Sequence, residues 1–219
     1  MILGTFSFGD FLFLLKGSLI TLLLCSIAML IGAVIGTIVG LSRTFPYFKP
    51  LNWISHAYIE VFRSTPLLMQ LFLIYFGLAL AGLDIPRYIA AGTALSLWTG
   101  ALMAEIVRGG IESVGKGQWE ASTSLGMGYL QQMRYVIVPQ AVRIMTPSIV
   151  GFLTQLIKGS SLVYVLGYIE LTRAGSIVVM TTYQPLIVYF FVAVIYFAMN
   201  YPLSIMGQKL ERRLAKQNA

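Results

Sequence analysis

Long apolar blocks, interrupted by short polar segments, make up most of this chain. Charge-free stretches mark candidate membrane crossings, because a charged side chain at the bilayer centre costs about 2.5–3.5 kcal/mol even on the lenient insertion scale. Gly17–Ser42 is long enough for one crossing of about 20 residues. It is too long for a signal-peptide core and lacks a small-residue cleavage pattern, so it reads as a permanent helix. Ser64–Leu83 and Tyr88–Ala104 supply the second and third spans. The fourth is built on Ile144–Ile157, extended back through Arg143 to Val136 with Pro139 at its entry, where proline is tolerated. Ala174–Gln208 holds the fifth, with Pro185 and Pro202 predicting that its first part is loop. The pattern predicts an all-α integral membrane protein of about five transmembrane helices.

Composition supports a bilayer setting. Of 219 residues, 58% are hydrophobic and 11% charged, whereas soluble domains carry about 25% charged residues. The formal charge of +7 comes from scattered basic residues with no aromatic-basic patch. It therefore reads as a topology signal, and no nucleic-acid partner is expected. One reading of the connections gives one face Arg43, Lys49, Arg108, Lys116, Arg134, Arg143, Lys209, Arg212, Arg213 and Lys216. The other face keeps Lys16, Arg87, Lys158 and Arg173. The bias predicts the N-terminus outside and the C-terminus in the cytoplasm. A lone cysteine, Cys25, excludes an intrachain disulfide, and a single histidine, His56, leaves no Cys/His cluster for a metal.

The residues between the spans carry more information. The outer connection Gly159–Gln184 is itself apolar, so part of it is expected to fold back into the protein. No internal repeat or linker appears, which predicts a single domain over 1–219. Gly32, Gly36 and Gly40 form two G-x-x-x-G spacings that suit close helix packing. Gly110–Lys116 has the spacing of a phosphate loop but is followed by Gly117, not Ser or Thr, and no strand precedes it. The chain is therefore not expected to hydrolyse ATP. In the cytoplasmic loop at about 112–138, Gln118-Trp119-Glu120-Ala121-Ser122 opens a helical stretch and Gly126 and Gly128 permit a sharp turn before Pro139. On residue pattern alone this is compatible with an interfacial helix pair.

That loop resembles the E-A-A, three residues, G, nine residues, I-x-L-P segment of binding-protein-dependent ABC importer permeases, with Ser122, Val136 and Val138 as mild departures. Further pieces resemble permeases of the polar amino acid uptake group: Val61–Leu68, Ala104–Ile111, Leu125–Met127, Pro139–Arg143 and Leu171–Gly175. Where the group commonly has K-D-T-S-L, this chain reads Lys158-Gly159-Ser160-Ser161-Leu162, lacking the acidic residue. The resemblance implies five helices per subunit with coupling helices between helices 3 and 4. It also implies a homodimer or a pairing with a paralogue, a separate ATPase subunit that holds ATP and magnesium, and an extracytoplasmic binding protein. No cofactor is expected on this chain. The ATPase-coupling residues would be Trp119, Glu120, Ala121, Ser122, Leu125, Gly126 and Met127.

Polar residues at membrane depth are the candidate path residues. Glu60 and Arg63, at i,i+3 on the second helix, can pair to lock packing or take part in a substrate site beside Thr65-Pro66. Glu105 and Arg108 repeat that spacing near the inner end of the third helix, where a structural or gating pair is expected. Gln155 lies at membrane depth and Lys158 near the outer mouth. Lys158 can snorkel or meet a substrate carboxylate, with the Ser160 and Ser161 hydroxyls completing a cradle. Glu170 can read a substrate ammonium or face water. The metal ligand set is empty.

Three function classes follow. A permease for polar amino acids in a bacterial inner membrane, not itself an enzyme, accounts for the most residues, with basic amino acids slightly favoured over glutamine or glutamate. A membrane-embedded enzyme would need a base near Ser160 or Ser161, and the one histidine is on a distant helix. A secondary transporter or channel is disfavoured by the lack of an inverted repeat.

Overall fold

The computed structural model describes residues 5–44 and 49–217, and every element assigned among them is helical. Helix α1 spans Phe8–Thr44 and is capped by Ser7, whose N–H and Oγ meet the Asp10 carboxylate at 2.8 and 2.7 Å. Helix α2 is Lys49–Ser64, followed by α3 at Leu67–Leu80. Helix α4 is Arg87–Glu112 and α5 the short Lys116–Ser124. Helix α6 runs Tyr129–Leu166, α7 Leu171–Thr182 and α8 Pro185–Gln217. Four of these, α1, α4, α6 and α8, are long and apolar enough to cross a membrane, and the bent pair α2–α3 makes up to five. The side chains of Lys49 and Lys216, both used in the topology count, lie outside those described.

The second crossing departs from a simple span. The apolar stretch Ser64–Leu83 is not one helix, because α2 and α3 meet at 107° across Thr65-Pro66. Proline has no N–H and clashes with the carbonyl of residue i−4. Here that carbonyl belongs to Phe62, and the side chain of Gln70 reaches back to replace the missing donor, with Nε2 to Phe62 O at 2.8 Å. The same Nε2 meets Thr65 O at 3.1 Å and Thr65 Oγ1 at 2.9 Å, while Thr65 Oγ1 donates to Val61 O at 2.6 Å. The Gln70 amide nitrogen thus supplies the donor that Pro66 lacks, while its Oε1 is buried without a hydrogen-bond partner.

Two other spans differ in extent. Helix α6 begins at Tyr129, well before Val136, through a π-helical turn at Met133–Ile137 that absorbs the approach to Pro139. At the other end Ala174–Thr182, expected as loop, is helical and belongs to α7. That helix stops at Tyr183, in the left-handed conformation at φ 56°, and Pro185 opens α8 as its first residue, where its fixed φ suits a helix start. The apolar connection Gly159–Gln184 folds back as expected, burying Val163, Leu166, Leu171, Ala174 and Val178.

The centre of the molecule is the contact of α1 with α4. Gly32, Gly36 and Gly40 are buried against Thr99, Met103 and Ala104. A Cβ on Gly32 would sit 2.5 Å from Thr99 Cβ, and one on Gly36 would sit 2.8 Å from Gly100 O. Without a hydrophobic force between helices in lipid, such backbone proximity is what packing offers.

Gly36→Ala is expected to lower stability by about 1–3 kcal/mol through overpacking, whereas Gly92→Ala, whose Cβ meets open space, is expected to be neutral. Thermal unfolding in detergent separates the two. Gln70→Leu, which strips the donor from Phe62 O, is expected to cost about 1–3 kcal/mol by the same measurement.

Candidate functional site

The break at Pro66 leaves the last turn of α2 at the surface: Glu60, Arg63, Ser64 and Thr65 are all exposed. Glu60 and Arg63 are not each other's partners. Glu60 approaches Ser64 Oγ at 3.5 Å, and the Arg63 guanidinium instead reaches Glu105 on α4, Nη1 to Oε2 at 3.4 Å. The 107° bend directs the end of α2 onto α4, so the tertiary pairing replaces the local one.

Glu105 is shared by three helices. Arg43, in the last turn of α1, places Nη1 3.2 Å from Oε1. Arg108, one turn along α4, grips both oxygens, Nε to Oε1 at 3.1 Å and Nη2 to Oε2 at 2.8 Å. Its remaining Nη1 bonds Glu112 at the end of α4. Such a bidentate guanidinium–carboxylate pair is the strong form of this interaction. Arg43 entered the sequence reading as a topology signal alone, and nothing local to it pointed to Glu105.

Helix α6 adds a polar stripe. Ser148, Gly151, Gln155 and Lys158 are exposed at spacings of three and four residues, while Phe152, Leu156 and Ile157 on other faces are buried. The end of α6 packs on the start of α3 through the core: a Cβ on Gly159 would lie 3.3 Å from the Leu67 side chain, at the first residue of α3. Glu105 and Ser148 line the same cavity of about 260 Å³, together with Gly109 and Ser113. Glu105, Arg63 and the Ser148 end of the α6 stripe are therefore brought together. Gln70 and Ser148 escaped the sequence reading, although a lone amide four residues after a proline was a usable signal.

Other candidates stand apart from that face. Ser160 is fully buried and its Oγ turns back to Ile157 O at 2.8 Å, so it does not present a hydroxyl to a ligand. Ser161 Oγ likewise donates to Lys158 O at 2.7 Å. Glu170 does not face water. It is fully buried and caps α7, accepting from the Thr172 and Arg173 N–H groups at 3.0 and 2.8 Å and from Tyr196 O–H at 3.1 Å. Burial pushes its carboxyl above the usual carboxylate range while these donors pull it back. Ser160, Ser161 and Glu170 are thus spent on internal hydrogen bonds and a helix cap.

At the other end, α5 and the start of α6 form a tight helix–turn–helix. Gly126 takes φ +75°, the left-handed region that favours glycine. Gln132 Nε2 clamps the turn to Met127 O at 2.8 Å and Thr123 Oγ1 at 3.0 Å. Trp119 stacks on Tyr129, and Tyr129 O–H donates to Thr44 O at 3.0 Å, tying the turn to the end of α1. Ser122 is buried with its Oγ returned to Trp119 O, which lets it stand where a small residue is needed. Outside, Glu120 and Ala121 are exposed and Leu125 is 80% exposed. Gly110 lies within α4, packed toward Met145, which excludes a strand–loop–helix phosphate cradle there.

Comparison with known proteins agrees with this geometry. Residues 32–216 match the family described as binding-protein-dependent transport system inner membrane component. Among similar proteins, the probable glutamine ABC transporter permease protein GlnM of Bacillus subtilis is 40% identical, the match covering 95% of this chain and 96% of that one. The arginine transport system permease protein ArtQ of the same organism is 37% identical over 92% of each chain. A crystal structure of an amino acid ABC transporter with histidines superposes with a TM-score of 0.88 at 38% identity, covering 96% of this chain and all of that one. The chain belongs to the binding-protein-dependent transport system inner membrane components, the multi-pass permease subunits of ABC transporters, and groups there with amino acid permeases.

Proposed function

We propose that this permease forms, with a second permease subunit, the membrane path of an ATP-driven importer for polar amino acids. The observation that carries the reading is the exposed polar end of α2, the Glu105 cluster it meets, and the Ser148 end of the α6 stripe that shares a cavity with Glu105. A charged or amide side chain exposed at membrane depth is costly unless it faces water or a partner. An amino acid offers a carboxylate to Arg63 or Lys158 and an ammonium to Glu60, so this face suits its zwitterionic head group. Glu105 and Glu170 are already occupied by protein donors. The negative charge of exposed Glu60 on this face leaves amino acids with a cationic side chain slightly favoured over glutamine or glutamate.

Energy comes from a separate ATPase docked at the exposed edge of α5, with Glu120, Ala121 and Leu125 as contacts, and an extracytoplasmic binding protein delivers substrate. The N-terminus lies outside and the C-terminus in the cytoplasm, which sets the α5 turn on the cytoplasmic side. ATP-driven closure of the two ATPases moves α5 and biases the membrane helices toward an outward-facing state.

ATPase activity in proteoliposomes holding the assembled complex and its binding protein is expected to rise with one class among basic, acidic and amide amino acids. An assembled complex that no amino acid stimulates would refute the substrate assignment. Leu125→Asp is expected to cut co-purification with the ATPase about tenfold or more, since an exposed apolar knob becomes a buried charge on docking.

A further inference from the structure

Three cationic side chains from three helices converge on one carboxylate, and among the described residues two carboxylates serve the group. Arg43, Arg63 and Arg108 face Glu105, and Glu112 takes one nitrogen of Arg108. The cluster therefore carries a surplus positive charge that a further anion would balance.

The three arms are unequal. Arg108 is bidentate and its side chain is 27% exposed; Arg43 is 24% exposed. Arg63 makes the longest contact, 3.4 Å, and is 41% exposed. Among the described residues Glu105 is its one ion-pair partner, so most of its five N–H donors remain open. Arg63 also sits two residues before the break at Thr65-Pro66, at the point where α2 hinges on α3.

We propose that Glu105 is the keeper of an ionic latch whose Arg63 arm is exchanged for a substrate carboxylate, so that a substrate in the path unties α2 from α4. This rests on the permease reading above. With Arg63 engaged by substrate, Glu105 retains Arg43 and Arg108. Arg108 in turn holds Glu112, the last residue of α4, from which α5 starts after a short turn. Occupancy at the break is thereby felt at the end of the helix that carries the ATPase-docking segment. Glu105 and Arg43 act here as positioning residues, and Arg63 as the residue that meets substrate.

The test is ATP hydrolysis by the assembled complex in lipid nanodiscs, with and without binding protein loaded with glutamine or arginine. Arg63→Gln opens the latch permanently. Its substrate-free rate is expected to rise about fivefold or more and its stimulation ratio to collapse toward one. Arg63→Lys keeps a point charge for Glu105 but loses the fork, so the half-saturating substrate concentration is expected to rise about tenfold. Glu105→Gln is expected to reproduce the raised substrate-free rate, and Glu105→Asp to restore part of the control. An assembled Arg63→Gln complex with the wild-type substrate-free rate and stimulation ratio overturns the latch. Should Glu105→Gln not assemble, the two Arg63 variants decide. Failure of wild type to respond to any amino acid falls on the substrate assignment, while the substrate-free rate of Arg63→Gln still judges the latch.

Discussion

A backbone carbonyl that loses its donor inside a bilayer must find another, and the way Phe62 does so shapes the functional half of this protein. Pro66 removes the N–H that Phe62 O would have accepted, and Gln70 supplies a side-chain N–H in its place. The chain can then turn through 107° with the Phe62 carbonyl still paired. Everything characteristic of the candidate path follows from that turn. The end of α2 is carried onto α4, Arg63 meets Glu105 across the fold, and the first residue of α3 is set against Gly159 at the end of the α6 stripe.

The second requirement is a rigid reference for that hinge, and the glycine ridge of α1 provides it. Gly32, Gly36 and Gly40 let α1 lie directly on α4. The ridge ends three residues before Arg43, while Ala104, against which Gly36 and Gly40 close, immediately precedes Glu105. Close packing and the ion cluster are therefore successive parts of one contact. The other surfaces are as apolar as lipid demands: Leu19, Leu23, Leu30, Val34 and Ile38 project outward from α1.

Hydropathy made the number of crossings legible, because a long apolar stretch has few alternatives to a helix in a membrane. The glycine spacing likewise disclosed a packing face before its partner was known. The tertiary partners were not legible. Spacing at i,i+3 favoured Glu60 for Arg63, and only the bend explains why Glu105 takes it. Pro66 marked an interruption beside Ser64–Leu83, but the size of the bend, 107°, was not readable from a charge count. Glu170 and Ser160 looked available since polar residues in an outer segment normally face water or ligand. Here the segment folds back and uses them as a helix cap and an internal hydrogen bond. The helical content of Ala174–Thr182 was hidden by assigning too wide a reach to Pro185, which opens the next helix without disturbing the one before.

The account turns on the α6 stripe lining a hydrated path, and cysteine accessibility examines this most directly. The native Cys25 is buried, so its background is low. Single cysteines at Ser148, Gly151, Gln155 and Lys158, and at Leu30 and Val34 on α1, would be exposed in the assembled complex to a hydrophilic maleimide that does not enter lipid. The account expects labelling along the α6 series, reduced when the loaded binding protein and ATP are present, and none on α1. Labelling of the α1 positions with a silent α6 series would contradict it, for the path would then run along another face.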